Sequence, residues 1–184
     1  MNKKIGSLSI LLIMLMISGC SSSNLAFPED TIDQKSELFG AGNIKNKILV
    51  VDFIFTNCET VCPPLTNNMS KLQEMAKEKE LEVEFVSFSV DPENDTPEKL
   101  VSFAEQFEVD FTNWHFLTGY SQKEIEAFAQ DSFKAIVQKP TSTDQVIHGT
   151  SFYLVNKKGE VSNKYSGLQE TPYDQIIQDI ENLQ

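Results

Sequence analysis

Cys58 and Cys62 stand four residues apart in the segment Phe53-Ile54-Phe55-Thr56-Asn57-Cys58-Glu59-Thr60-Val61-Cys62-Pro63, between an apolar run and a helix start. A helix N-terminus favours anions, so thiols placed there are expected to hold more thiolate at neutral pH. In regular helix this spacing puts the two side chains on one side of a turn, about 5 to 6 Å apart between Cβ atoms. A disulfide wants about 4 Å, so closing one requires Cys58 to sit outside the helix, in the Thr56-Asn57 loop. The same spacing suits two thiolates converging on one ion. Thiol–disulfide exchange and metal binding are both open at this point. A purely structural bridge would do little, because the chain entropy it removes grows with the length of the loop it closes.

The chain has two histidines. His115 lies in Asn113-Trp114-His115-Phe116, where alternation makes it a strand residue with a local partner rather than a ligand. His148 stands in an irregular stretch, followed by Gly149 and then by a hairpin. Glu59, Asp91 and Asp95 are candidates for supporting or docking groups, with a solvated acidic loop and a helix cap as the plainer reading. No catalytic general base is implied.

These residues need a scaffold, and the hydropathy pattern supplies one. Ile48 to Phe55 is a short, nearly continuous apolar run, as expected of a central strand covered on both faces. Leu65, Met69, Leu72, Met75 and Ala76 recur at three- and four-residue intervals after Pro63 and Pro64, predicting an amphipathic helix with the prolines in its first turn. Val83 to Val90 reads as a second buried strand, and Thr96-Pro97-Glu98 as a helix start leading to Phe107. Trp114 to Leu117 is a third strand, and Ser121 with Glu124 is a capping-box signal for a helix through Phe128. Thr150 to Val155 and Val161 to Tyr165 form a hairpin across Asn156-Lys157-Lys158-Gly159, and Thr171-Pro172 opens a last helix. The order predicts an α/β domain over 47–184, with parallel crossovers early and an antiparallel pair late. Residues 21–46 are the least predictable.

Residues 1–19 read as an export signal, with Lys3 and Lys4 before an apolar run too short for a spanning helix, which needs about 18 residues or more. Ile17-Ser18-Gly19-Cys20 resembles a lipobox, which implies cleavage before Cys20, acylation of its thiol and a tether through Ser21, Ser22, Ser23 and Asn24. Residues 20–46 are then the acylated N-terminus, tether and N-terminal extension. With Cys20 acylated, Cys58 and Cys62 remain as a pair in an extracytoplasmic compartment where a disulfide can persist. The net charge of −12, with no arginine, argues against nucleic acid and leaves acyl chains as the expected membrane attachment.

Four segments together resemble one family: Phe53 to Pro63; Val90-Asp91-Pro92-Glu93-Asn94-Asp95-Thr96-Pro97-Glu98; Phe116-Leu117-Thr118-Gly119; and His148 ahead of Phe152-Tyr153-Leu154-Val155. The chain from about Leu49 onward resembles the Sco (SenC) family. That resemblance implies a thioredoxin-like fold, a central mixed sheet flanked by helices. It further implies copper, as Cu(I) or Cu(II), held by Cys58, Cys62 and His148, and a role in building the binuclear copper centre of cytochrome c oxidase. The copper-bearing oxidase subunit is the implied partner, with a thiol–disulfide reductant as a further one. In such folds the loop before the first hairpin strand faces the cysteine pair, which would bring His148 to it. One departure is Ile147, where the family often has an aspartate before the histidine. The donor set independently suits copper, since two thiolates and an imidazole are soft ligands and a structural zinc site would want a fourth.

The leading alternative is a thiol–disulfide oxidoreductase or redox signalling protein without copper transfer, and one site can serve both tasks. A peroxiredoxin-like peroxidase would need an arginine that this chain lacks. An electron-transfer copper centre would need a histidine where Thr66 stands, and Met69 fits the apolar stripe of its helix. A disulfide-bonded binding module without metal is the remaining structural reading.

Overall fold

A computed structural model describes residues 25–184 of the chain. The expected signal segment, Cys20 and the expected tether lie outside the described residues.

The predicted order of elements is present: β1 (Ile48–Ile54), α1 (Cys62–Glu78), β2 (Val83–Ser89), α2 (Pro97–Ala104), β3 (Trp114–Leu117), α3 (Gln122–Phe133), then β6 (Ser151–Val155), β7 (Val161–Ser166) and α4 (Tyr173–Glu181). Two further strands, β4 (Val137–Gln138) and β5 (Ile147–His148), pair with each other between α3 and β6. The main sheet runs β3-β2-β1-β6-β7. Its first three strands are parallel, and β6 and β7 are antiparallel additions. This is the expected central mixed sheet flanked by helices.

All seven residues of β1 are buried, which is why its sequence shows a continuous run rather than alternation. One face carries Phe53 and Phe88, which pack against Phe128 and Phe133 of α3. The opposite face carries Val50 and Asp52 in register with Phe85 and Ser87 of β2, and α1 and α4 lie together as neighbouring helices. The helix starts follow their sequence signals. Thr96 Oγ1 accepts from Lys99 N at the head of α2, and Ser121 with Glu124 forms a full capping box on α3, contacts that contribute about 1 kcal/mol each.

Residues before 47 also pack on this domain, with Leu25, Phe39 and Ile44 buried in its core. Ile32 exchanges backbone hydrogen bonds with Thr118, and the Gln34 side chain donates to Trp114 O and accepts from Phe116 N. An irregular segment thereby pairs the outer edge of β3, which would otherwise expose unpaired backbone groups. Gly119 makes room for it: φ is +96°, and a Cβ there would stand 2.6 Å from Asp30 O. Such side-chain pairing has no periodicity, so the sequence carries no pattern for it. Among the described residues no helix is long and apolar enough to cross a membrane.

Candidate metal centre

The chain leaves β1 at Ile54 and turns at once, with Cys58 N donating to Phe55 O at 3.3 Å. Cys58 thus lies outside α1, as a reversible bridge to Cys62 requires. Its Sγ accepts from Cys62 N at 3.4 Å, serving where a capping side chain would, since Val61 provides no side-chain cap. One of the four unpaired amides of the helix start is satisfied by sulfur. Pro63 and Pro64 follow, where missing N–H groups cost little.

His148 arrives from a short two-stranded arm rather than from the irregular loop expected. Val137 of β4 pairs with His148 of β5. Its Nδ1 lies 3.0 Å from Gly149 O, a contact only an N–H can make, which leaves Nε2 as the ring nitrogen that faces the cysteines. Nε2 stands 3.5 Å from Cys62 Sγ, and the ring meets Phe55 edge-to-face at 5.5 Å. The donor atoms of Cys58, Cys62 and His148 all lie within 4.8 Å of one another. Bonds of about 2.0 to 2.3 Å in a trigonal plane put donors roughly 3.5 to 4 Å apart, so a small inward movement closes the set on one ion. Among the described residues this is the only cluster of three such donors.

The two thiols differ in environment. Burial opposes ionisation of Cys58, but hydrogen bonding to His148, to the Cys62 thiol and to the Cys62 and Val61 amides outweighs it and lowers its pKa to about 6. Cys62 is fully buried, and burial drives its pKa far above the ordinary thiol range, with the Cys58 thiolate and Asp52 adding to the rise. A helix N-terminus therefore fails to make Cys62 acidic, contrary to the expectation for both thiols, because its desolvation exceeds the favourable field of the helix start. Cys58 is therefore the more readily ionised thiol of the pair.

Asp52 is a residue whose role sequence reasoning missed. It is completely buried in β1, and no hydrogen-bond partner reaches either carboxylate oxygen. Burial raises its pKa from 3.8 to about 7, with the Ser87 hydroxyl across the strand pair and the charge of His148 opposing in part. The clue is a lone aspartate in an apolar run. As pH rises from about 4 to about 7 the unfolded chain loses this proton while the folded one keeps it, so stability falls across that window and stays lower above it. We expect Asp52→Val in the reduced, metal-free protein to gain about 2 to 4 kcal/mol at pH 8 and little near pH 4. Denaturant titrations at the two pH values check this, and an equal gain at both would refute it.

Asp91 and Asp95 are not solvated. Both are buried, at 0% and 1% exposure. Asp95 accepts from Thr56 N, Thr56 Oγ1 and Ser89 Oγ, and so ties down the loop that carries Cys58. Asp91 accepts from Asn94 and from Lys139. Glu59 is exposed and takes no part. His115 bonds Glu84 at 3.1 Å and lies tilted against Phe39, as a strand histidine with a local partner should. Met69 is core, and Ile147 is exposed beside His148 with no acid to offer.

The sequence model of the SCO1/SenC family matches residues 23–184. The SCO1 protein homolog of Bacillus subtilis (strain 168) is 46% identical, over 98% of this chain and 97% of that protein. A SCO1/SenC family lipoprotein from Bacillus anthracis str. Ames has a crystal structure that superposes with a TM-score of 0.82 at 51% identity, covering 86% of this chain and 94% of that one. BsSco, described as a member of the Sco family of cytochrome c oxidase assembly proteins with a disulfide switch, superposes with a TM-score of 0.78 at 49% identity, covering 86% and 92%. Bradyrhizobium japonicum ScoI, solved with copper bound, shares the fold at 24% identity with a TM-score of 0.68, over 86% and 99%. A match over nearly the whole described chain, and near-half identity to full-length relatives with the same thioredoxin-like fold, mean that this chain belongs to the SCO1/SenC family.

Proposed function

We propose that this protein binds copper through Cys58, Cys62 and His148 on the outer face of the cell membrane, and that it serves the assembly of the binuclear copper centre of cytochrome c oxidase. The observation that carries the reading is the convergence of two thiols and an imidazole nitrogen from segments far apart in sequence. Two sulfurs and one nitrogen, with no fourth protein donor in the cluster among the described residues, favour copper over structural zinc and leave room for a receiving ligand. Copper would be the cargo, and the copper-bearing oxidase subunit its recipient.

The acidic Cys58 thiol also supports redox work at the same site. Its thiolate can attack a disulfide in a target protein, and Cys62 can then resolve the mixed disulfide, releasing the target's two thiols reduced and leaving Cys58–Cys62 oxidised. A separate reductant would then regenerate the pair. Reduction of the target's cysteines and delivery of copper are compatible uses of one constellation.

Cells dependent on this protein for oxidase assembly test the reading. Cys58→Ser, Cys62→Ser and His148→Ala are each expected to lower oxidase activity, with added copper restoring only part of it for His148→Ala. Normal assembly with His148→Ala but not with the serine variants would make thiol exchange the function and remove the copper role.

The anchor rests on Cys20 and its lipobox, supported by kinship to a protein described as a lipoprotein. Two or more acyl chains hold firmly where one binds marginally. The Cys20→Ala variant is therefore expected in the soluble fraction after processing, and unchanged membrane retention of that processed form would contradict the anchor.

A further inference from the structure

The arm that carries His148 is too small to hold itself in place. β4 and β5 pair over two residues each, and a two-stranded ribbon is marginal in water even when longer. Ile136 and Ile147 are largely exposed, which leaves Val137 and Val146 as the arm's buried apolar contacts. A small arm of this kind needs a polar tie if a donor atom on it is to keep its distance from two sulfurs.

Lys139, the residue after β4, supplies one. Its backbone N–H donates to Glu126 Oε1 of α3 at 2.9 Å. Its ammonium reaches Asp91 Oδ1 at 2.6 Å and Glu93 Oε2 at 3.1 Å. Asp91 has no exposed surface, and Asn94 Nδ2 donates to both of its oxygens. Four residues along the same loop, Asp95 holds Thr56, which lies two residues before Cys58. One short segment after β2 therefore grips both the loop that delivers Cys58 and the arm that delivers His148.

From these contacts we infer that the Asp91–Asp95 loop is a bracket that sets the spacing between the cysteine pair and His148, with Lys139 and Asp91 as positioning residues for the imidazole. The inference rests on the proposed three-donor site. A buried carboxylate that loses its cation is left uncompensated, so the arm has a strong reason to stay docked. Asp91 in turn holds the Lys139 ammonium above its usual pKa, and the contact persists across the physiological range. Glu93 joins from the exposed side and adds less.

The test uses Lys139→Met, Lys139→Arg and the double variant Lys139→Met with Asp91→Asn, which removes the orphaned buried charge and so keeps a folded protein available. Metal-free amide exchange is read first. Both methionine variants are expected to exchange the 137–148 arm about tenfold or more faster, while β1 and the Thr56–Cys58 loop stay protected. Copper titration of the reduced protein is read second. Loss of an orienting group typically costs about 10- to 100-fold in metal affinity, so Cu(II) should weaken by that factor. Cu(I), which tolerates two sulfurs, should weaken by about threefold or less, and Lys139→Arg should restore both. Unchanged arm exchange in both methionine variants, or acceleration spread evenly over the sheet, overturns the bracket. A wild-type protein that takes up no copper would instead sink the site reading, and the exchange experiment would still decide whether the bracket exists.

Discussion

Oxidation of Cys58 and Cys62 to a disulfide is expected to abolish tight copper binding, lowering affinity by several orders of magnitude, because a disulfide sulfur has no thiolate to donate. The geometry favours a reversible bridge. Cys58 already lies outside α1 with its sulfur against the Cys62 amide, so the bond can form without unwinding the helix. A small disulfide such as oxidised glutathione would take up the two electrons, and the attack would start from Cys58, the thiol with a pKa near 6. The rate should therefore fall as pH drops through about 6 and level off above it. Mass shifts on alkylation, before and after reduction, show the bridge, and parallel copper titrations give the affinity. Equal copper affinity in the oxidised and reduced forms would rule out a shared site.

Replacement of His148 by alanine is expected to separate the two oxidation states of copper. The dithiolate that remains can hold Cu(I) in two-coordinate sulfur, whereas Cu(II) prefers more donors, nitrogen among them. Cu(II) affinity should fall by more than the roughly 10- to 100-fold that loss of an orienting group costs, and Cu(I) affinity by much less. The same variant should raise the Cys58 pKa, because hydrogen bonding to His148 helps to lower it. Spectroscopic titration with each ion, alongside a pH profile of Cys58 alkylation, reads both effects. Parallel losses for Cu(I) and Cu(II) would mean that His148 supports the fold of the site rather than the metal.

The strands and helices were legible because each announces itself locally. Ile48 to Phe55 is a continuous apolar run, the stripe from Leu65 to Ala76 has helical period, and Thr96, Ser121 and Glu124 are caps. The three donors were legible from residue type, and their convergence from family resemblance. Three other features were hidden because their causes lie between segments. Residues 25–46 pair a sheet edge through Gln34, without periodicity. Asp91 and Asp95 look like a solvated acidic loop until Lys139 and Thr56 are seen to face them. The acidity expected of both thiols was realised only at Cys58, because burial at Cys62 and at the unpartnered Asp52 of β1 depends on how helix and sheet close over one another.

Copper binding decides whether two thiols and one imidazole form a single site. Anaerobic titration of the fully reduced protein with Cu(I) and with Cu(II), followed by spectroscopy of the bound ion, tests it most directly. One equivalent of either ion is expected to bind, with sulfur and nitrogen both in the coordination sphere of Cu(II), and alkylation of Cys58 and Cys62 is expected to abolish that binding. Failure to bind either ion stoichiometrically, or a Cu(II) signal with no nitrogen ligand from His148, would contradict a single three-donor site.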